Sequence, residues 1–592
     1  MLKFFEKNNF TLNEILSKRA VHQPQKLAYR FLSDGELVEE ILTYWQLEEK
    51  SQRIKQKLIN SELYKQNRNK RKLLALLLYP PGLEFICGFF GCLHAGVIAV
   101  PTSLPYGKRG KNRIDNIIKS ANIDFVLTDS KTYYSLQKTS VEWGNVEWVI
   151  TDKLAASLSL LSNTENPYSK DDIAFIQYTS GSTHFPKGVS ITHGNLMANE
   201  AMIEAAFEHN ESTIFVGWLP FFHDMGLIGN ILQPLYLGIE ATLMSPLSFL
   251  QKPIRWLEAI SRFRATTSGA PNFAYDLCVE KAIVKEKLDL SSWNVAFSGS
   301  EPIHARTLTR FYQTFSSFNF SEHAFYPCYG LAEATLFVAG NDPKKPPIIK
   351  NIDKDLFEKE GLAKEASINT DKISSYVSVG HSWKDQEILI IDPSNGYPLT
   401  ANIQGEICLK GSNIARGYWK NESATQETFE NSIENKSGYF LRTGDLGFID
   451  EKGLLYITSR LKDLIIIRGR NIIPQDIEIS IIESNPAFNI NGCAAFSISH
   501  EEEEKLVIVI EIKREYLKNF IPDRLFEPVK KTLSQEHGID AKEIVFVKTN
   551  SIPKTSSGKV QRGYCKKLYL DDELDLLVSS QKEFFHSPNG FD

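Results

Sequence analysis

Between about Lys72 and Glu301 the chain alternates short apolar, β-branched runs with longer helical patterns: KLLALLLY, GVIAVP, DFVLTD, VEWVITD, DIAFIQ, TIFVGWLP, ATLMSP and NVAFSGSEP. Several of these runs are apolar at nearly every position, as in strands covered on both faces. The pattern predicts an α/β fold with sizeable sheets. After Gly380 the spacing tightens, and EILIID, GEICLKG and GLLYITSR predict a smaller β-rich unit. Beyond it, LKDLIIIRGRNIIPQDIE, KLVIVIEIK and IVFVKT, with helical segments between them, predict a compact α+β unit. The expected organisation is a large N-terminal domain, residues 1–462, of two α/β sheets plus a small β-barrel-like subdomain. A small mobile α+β domain, 463–592, follows a hinge at Lys462.

Composition narrows the function classes. The chain has 592 residues, roughly four times a typical domain length. Its 42% hydrophobic and 23% charged content is that of an ordinary globular protein. A net charge of -5 gives no basic face for a nucleic acid. The basic cluster Lys65, Arg68, Lys70, Arg71 and Lys72 reads as a solvated approach to a buried strand, and the acidic run 501–504 as a turn between strands. Seven dispersed cysteines, never spaced CxxC, argue against a disulfide framework or a zinc site and fit a reduced cytosol. The N-terminus has no signal-peptide core, and the longest apolar stretch, 86–101, is too short to span a bilayer. A soluble, cytoplasmic chain is expected.

The stretch YTSGSTHFPKGV (178–189) lies between a predicted strand, 172–177, and a helix predicted to start near Thr192, whose hydroxyl can cap it. Small hydroxyls around a glycine let N–H groups converge on a phosphate with no side chain in the way. The spacing is not a Walker A loop, because Lys187 follows Pro186 and precedes Gly188. Alone, the stretch reads at least as well as an ordinary surface loop.

It has company. WLPFFHDMGLIG (218–229), SGAPNFAYDLC (268–278), SGSEP (298–302), YGLAEATLF (329–337), YFLRTGDLG (439–447), SRLKDLIIIRGRNIIPQDIE (459–478) and PKTSSGKVQR (553–562) follow in order. With them the sequence resembles the AMP-forming adenylating superfamily of acyl-CoA synthetases, luciferases and nonribosomal adenylation domains. Within it the chain looks most like a fatty acyl-AMP ligase, and the resemblance covers nearly the whole chain.

The resemblance implies ATP as substrate and the joining of a carboxylate to its α-phosphate with loss of pyrophosphate. Two anions must then meet and a leaving group be steadied, which is work for cations and amides. It assigns Thr179, Ser180, Gly181, Ser182, Thr183 and Lys187 to the phosphates, and Glu333 with Thr183 to Mg2+. Ser298, Gly299, Ser300 and Glu301 would line the nucleotide pocket with Tyr329, Gly330, Leu331 and Ala332, the Tyr329 ring facing adenine. Asp445 would accept from the ribose hydroxyls, with Arg460 near ribose or phosphate. Lys559 would swing in with the C-terminal domain to bridge the attacking carboxylate and the α-phosphate, with Lys187 and His223 as further catalytic candidates. Phe222, His223, Asp224 and Met225, with Ser268, Gly269, Ala270 and Phe273, would border the acyl chain. Outside this company Lys559 would read as a solvated lysine, Glu333 as a helix-start residue and His223 as a core histidine. Ser459 stands where the family usually has Gly, and His184-Phe185 where it often has a Gly, so these turns are expected to differ locally.

Two features bear on substrate and acceptor. SGAPNFAY offers no aspartate to pair with an amino-acid ammonium, which favours a plain carboxylic acid such as a fatty acid. The segment 341–378 is longer than in most acyl-CoA synthetases and carries a helical pattern around Leu356, Phe357 and Leu362. In fatty acyl-AMP ligases an insertion in this region is associated with restraint of the C-terminal domain and failure to make CoA thioesters; a tolerated surface insertion is the plainer alternative. The resulting expectation is a ligase that activates a fatty acid and passes it to the phosphopantetheine of a separate acyl carrier protein. The rivals are a fatty acyl-CoA synthetase and a non-catalytic nucleotide- or acyl-binding homologue.

Overall fold

The computed structural model describes residues 10–105, 107–139, 141–155, 168–179, 186–283, 287–367, 370, 372–467, 470–500, 503–555 and 558–580. Each apolar run between Lys72 and Glu301 forms a strand, and these strands divide between two sheets. Among the described residues the first sheet has six strands, ordered Glu147–Ile150, Phe125–Thr128, Leu74–Leu77, Ile98–Pro101, Ile173–Thr179 and Lys187–Thr192. The second has nine, and its parallel centre runs Phe325–Gly330, Val295–Ser298, Thr267–Ala270, Phe215–Gly217, Ala241–Met244 and Leu27–Leu32. Leu74–Leu77, Val295–Ser298 and Thr267–Ala270 are buried at every position, as strands with helices on both faces must be. The segments that follow Val295–Ser298 and end Phe325–Gly330 line one crevice at the carboxyl ends of those parallel strands, where open α/β sheets bind their ligands.

The loop 180–185 lies outside the described residues, but its flanks depart from expectation. Lys187–Thr192 is a strand, antiparallel to Ile173–Thr179, so the stretch connects a hairpin rather than a strand to a helix. Its sequence signature is the pair of β-branched residues Val189 and Ile191 at alternate positions, although every residue from Gly188 to Thr192 is buried. The helix His193–Ala206 starts where predicted, and the Thr192 hydroxyl accepts from the Asn195 N–H at 3.0 Å.

After Gly380 the short strands Glu387–Ile391, Gly405–Lys410, Tyr439–Ile449, Asn431–Ser432 and Leu455–Arg460 make a small antiparallel sheet. The C-terminal part is built on a four-stranded sheet, Phe488–His500, Glu503–Ile512, Ala541–Lys548 and Leu576–Ser579. Strand alternation gives it two cores: Ile508, Ile510 and Ile512 face Ile477, Phe488 and Phe526, while Val507 and Val509 face Phe496, Val545 and Cys565. Glu503 and Glu504 belong to a strand rather than to the turn read from the sequence; residues 501 and 502 lie outside the described residues.

Within 341–378 the chain builds an antiparallel ribbon, Ile349–Asp353 with Ile373–Val377, and a helix, Lys354–Glu360. Asp353 caps that helix by accepting from the Leu356 N–H at 3.0 Å, and Gly361, at φ +68°, ends it. Ile352, Phe357 and Tyr376 pack on Phe448 and Tyr456 of the small sheet and on Ile473 beyond it. The segment is therefore bound to both neighbours by a shared apolar core.

Candidate active site

A cavity of about 480 Å³ lies between the carboxyl ends of the nine-stranded sheet, the small sheet and the loop that carries Lys559. It brings together Thr179, Phe222–Met225, Gly299–Glu301, Tyr329–Glu333, Asp445, Arg460 and Lys559, which are scattered over nearly 400 positions of sequence. Ser300 enters it at φ +70°, a left-handed conformation a serine adopts only under constraint from its surroundings.

One end is polar. The Tyr329 hydroxyl donates to Asp445 Oδ2 at 2.6 Å, and Arg460 Nε donates to Asp445 Oδ1 at 3.0 Å. The neighbouring carboxylate holds the Arg460 guanidinium above its ordinary range, while burial and Asp445 push the Tyr329 phenol up. Close by, the Tyr418 hydroxyl donates to Glu333 Oε1 at 2.9 Å, and burial raises the Glu333 carboxyl. The Lys187 ammonium lies over the Tyr418 ring, 4.6 Å from its centroid, so one aromatic residue links Lys187 to the Glu333 carboxylate. Tyr418 reaches this position because Val189 and Tyr418 form a β-bridge, with Ser190 N–H donating to the Gly417 carbonyl at 2.9 Å.

Lys559 closes the cavity from the C-terminal side. Its backbone is set by a tight turn in which Lys559 N–H donates to Thr555 Oγ1 at 3.1 Å and Thr555 N–H to the Lys559 carbonyl at 2.8 Å. Gly558 sits at φ +88° against the Phe273 ring, where a side chain would meet both strain and a clash. Three residues on, Arg562 grips Glu478 with two donors at 2.6 Å and Asp463 with a third at 3.2 Å, fixing the loop to the helix Pro474–Ser484 and to the turn beside Lys462. Burial pushes the Lys559 ammonium below its ordinary range and Arg460 adds to this, while Asp445, Glu301 and Asp224 pull the other way. Burial raises Glu301 to about 7, although it accepts from the Phe273 N–H at 2.6 Å. An anion placed here meets a desolvated ammonium, where charge interactions are strong.

The other end is apolar. Phe222 and His223, in the turn before it, and Met225, at the start of a wide π-type helical segment, Met225–Leu232, lead into it; such irregularities are found mostly at functional sites. His223 Nδ1 contacts Asp224 Oδ1 at 2.6 Å. Burial acts to raise Asp224, but His223, the Met225 N–H and Lys559 outweigh it and leave the carboxyl low. Deeper in, Ile203, Phe207, Phe215, Phe297 and Phe337 line the walls, with His209 among them. Ser268 turns away from this wall: its hydroxyl donates to the Val216 carbonyl at 2.6 Å and accepts from Trp256 Nε1 at 2.7 Å, because alternate strand residues face opposite sides. Gly269 packs against Phe297, and Ala270 is fully buried. Ser298 is likewise buried, beneath the loop it leads into. Thr179 lines the cavity and pairs with Lys187 in the hairpin register, whereas Ser180, Gly181, Ser182, Thr183, His184 and Phe185 lie outside the described residues.

The segment 341–378 meets the C-terminal part across a polar cluster. Lys354 Nζ donates to His537 Nδ1 at 2.9 Å and to the Glu536 carbonyl at 3.3 Å, and Arg470 Nε donates to Glu358 at 3.1 Å. Burial, with Lys354 and Arg470 nearby, holds His537 down to about 3, so it accepts as a neutral ring. Arg306 and Glu483 form a further ion pair between the two parts.

Three residues in or beside the cavity escape sequence reasoning. Tyr418, in ARGYW (415–419), carries no recognisable spacing, although its place beside the hairpin makes it the link described above. Arg113 lines the cavity with Thr179 and, among the described residues, donates to the Tyr178 carbonyl at 3.5 Å; on its helix it looks no different from Lys108, Lys111 or Lys119. His209 follows a helix end and reads as any loop histidine.

Comparison with known proteins agrees with this geometry. A family model described as AMP-binding enzyme matches residues 16–419, and one described as Disco-interacting protein 2-like, AMP domain, matches residues 462–579. A medium-chain-fatty-acid acyl-carrier-protein ligase of Moorena producens (strain JHB), JamA, is 39% identical over 578 residues, covering 95% of this chain and 96% of its own. The crystal structure of a fatty acid AMP ligase from Legionella pneumophila superposes with TM-score 0.74 at 38% identity, over 98% of this chain and 99% of that one. A fatty acyl-adenylate ligase from L. pneumophila in complex with acyl adenylate and pyrophosphate superposes with TM-score 0.73 at 37% identity, over the same shares. The chain belongs to the AMP-binding enzyme family and, within it, to the fatty acyl-AMP ligases.

Proposed function

We infer that this protein joins a fatty acid to AMP and hands the acyl group to the phosphopantetheine arm of a separate acyl carrier protein. One observation carries the reading: a half-buried lysine from the C-terminal part, its ammonium enclosed by protein, stands in a cavity whose polar end suits a nucleotide and whose other end suits an apolar chain. The related ligase holding acyl adenylate and pyrophosphate supports it.

In this reading an oxygen of the fatty carboxylate attacks the α-phosphorus of ATP, the acyl–O–P bond forms, and the bond to pyrophosphate breaks. Asp445, held by Tyr329 and Arg460, accepts from the ribose hydroxyls. Lys559 stabilises the charge that the carboxylate and α-phosphate share in the transition state. Lys187, with the Thr179–Thr183 loop, holds the phosphate tail. Mg2+ fits beside Glu333, since burial raises that carboxyl and a cation would offset the penalty; when bound, it would neutralise phosphate charge.

The chain divides at Lys462 into a large part, 1–462, and a small one, 463–592, that moves about that hinge between the two half-reactions. The segment 341–378 acts as a clamp on this motion through Lys354, Glu358 and Phe357. The acceptor is therefore a carrier protein rather than CoA.

Product analysis tests this. After incubation with ATP, Mg2+ and a medium-chain fatty acid, acyl-adenylate accumulates without acceptor or with CoA, and the acyl group moves to a phosphopantetheinylated carrier protein. Efficient acyl-CoA formation would instead make the protein a CoA synthetase.

A further inference from the structure

The acyl end of the cavity closes on a histidine held more rigidly than its apolar neighbours. His209 Nε2 lies 3.1 Å from Thr267 Oγ1, and Nδ1 lies 3.3 Å from the Gln233 side-chain amide. Gln233 is itself fixed, because its NH2 reaches the Glu200 carbonyl oxygen and its Oε1 accepts from the Glu204 N–H, both at 3.2 Å. In that orientation His209 Nδ1–H donates to Gln233, and Nε2 accepts from the Thr267 hydroxyl. The Phe207 ring meets the imidazole edge to face at 5.2 Å. Both nitrogens are occupied, so the ring presents its carbon edge to the cavity, and displacing it would strand buried polar groups.

Its position sets a length. The nucleotide side of the cavity lies at Gly299, just past Ser298, which pairs with Ala270. His209 lies at the opposite end of the same strand, bonded to Thr267, which pairs with Phe215. Three strand steps, Thr267 to Ala270, span roughly 10 Å. An extended chain covers three bonds in about 3.5 Å, so that depth accommodates roughly eight to ten carbons.

We propose that His209, pinned by Thr267 and Gln233, is the floor of the acyl cavity and restricts the substrate to medium-chain acids. The proposal rests on the fatty-acid reading above.

The test is a chain-length profile of pyrophosphate release with saturated acids from four to sixteen carbons, for the wild type and for His209→Ala. The wild type peaks near eight to ten carbons. The variant shifts toward longer acids, with the kcat/KM ratio of a fourteen-carbon to an eight-carbon acid rising by about tenfold or more, the discrimination one or two methylenes can carry. Superimposable profiles would overturn the proposal. A second readout needs no variant: Kd values of non-hydrolysable acyl-adenylate analogues on the wild type tighten up to about ten carbons and then weaken. Tightening that continues to fourteen carbons would overturn it equally. Absence of fatty-acid-dependent pyrophosphate release at every length would overturn the fatty-acid reading and this proposal together, whereas release with an unmoved profile overturns the proposal alone.

Discussion

At the scale of single residues, the role proposed for Asp445 at the nucleotide depends on how firmly its carboxylate is held. Its two oxygens are held by a phenol and a guanidinium that approach from different strands, so the carboxylate keeps one orientation. Tyr329→Phe removes one of these holds while leaving the ring in place. A hydrogen bond to a charged group contributes about 1.5–3 kcal/mol; the expected result is an ATP KM raised by roughly tenfold with kcat little changed, measured by pyrophosphate release. A fall in kcat at constant KM would place Tyr329 in the chemical step instead. Residues inside a contiguous motif, such as Asp445 in RTGD or Lys559 in SSGK, were legible from the sequence because neighbours identify them. Tyr418 was not, since its role depends on a bridge to Val189 more than two hundred positions away.

At the scale of elements, the ribbon and helix of 341–378 act through a polar seam beneath an apolar one. Glu358→Ala removes the buried carboxylate partner of Arg470 and should cost about 3 kcal/mol locally. Hydrogen exchange of the helix Lys354–Glu360 is the check, and unchanged protection would mean that Phe357 and its apolar partners hold the segment alone. The same seam carries a pH dependence. Asp476, half-buried and densely enclosed by protein, is raised to about 6 by burial and by Glu358, against the pull of Lys354. An unfolded aspartate titrates near 3.9. The stabilising contribution of the protonated group is therefore complete below about 4 and lost as pH rises through about 6. Asp476→Asn should unfold together with the wild type near pH 4 and exceed it by about 1–2 kcal/mol at pH 7.5. A difference that does not vary with pH would remove Asp476 from this role. The helical pattern around Phe357 was readable in advance; its docking was not, because the partners Phe448, Tyr456 and Ile473 look like ordinary core residues of other units.

At the scale of the whole molecule, the architecture was readable from hydrophobic patterning alone. Nearly continuous apolar runs marked the large parallel sheets, and a change to short, closely spaced strands marked the small antiparallel sheet after Gly380. The strand Lys187–Thr192 escaped because its lysine, glycine and serine mask a two-residue alternation. Patterning says nothing of how the parts dock. Here Arg562 on Glu478 and Asp463, Arg306 with Glu483, and the Lys354 cluster together hold Lys559 in the cavity. That arrangement is the one in which adenylate formation is expected. The most direct measurement quantifies acyl-adenylate and pyrophosphate made from ATP, Mg2+ and a medium-chain fatty acid by the wild type and by Lys559→Ala, with ATP binding followed in parallel. The account predicts equal amounts of the two products, a loss of about 10²–10³-fold in the variant, and retained ATP binding. Undiminished adenylate formation by the variant would contradict it.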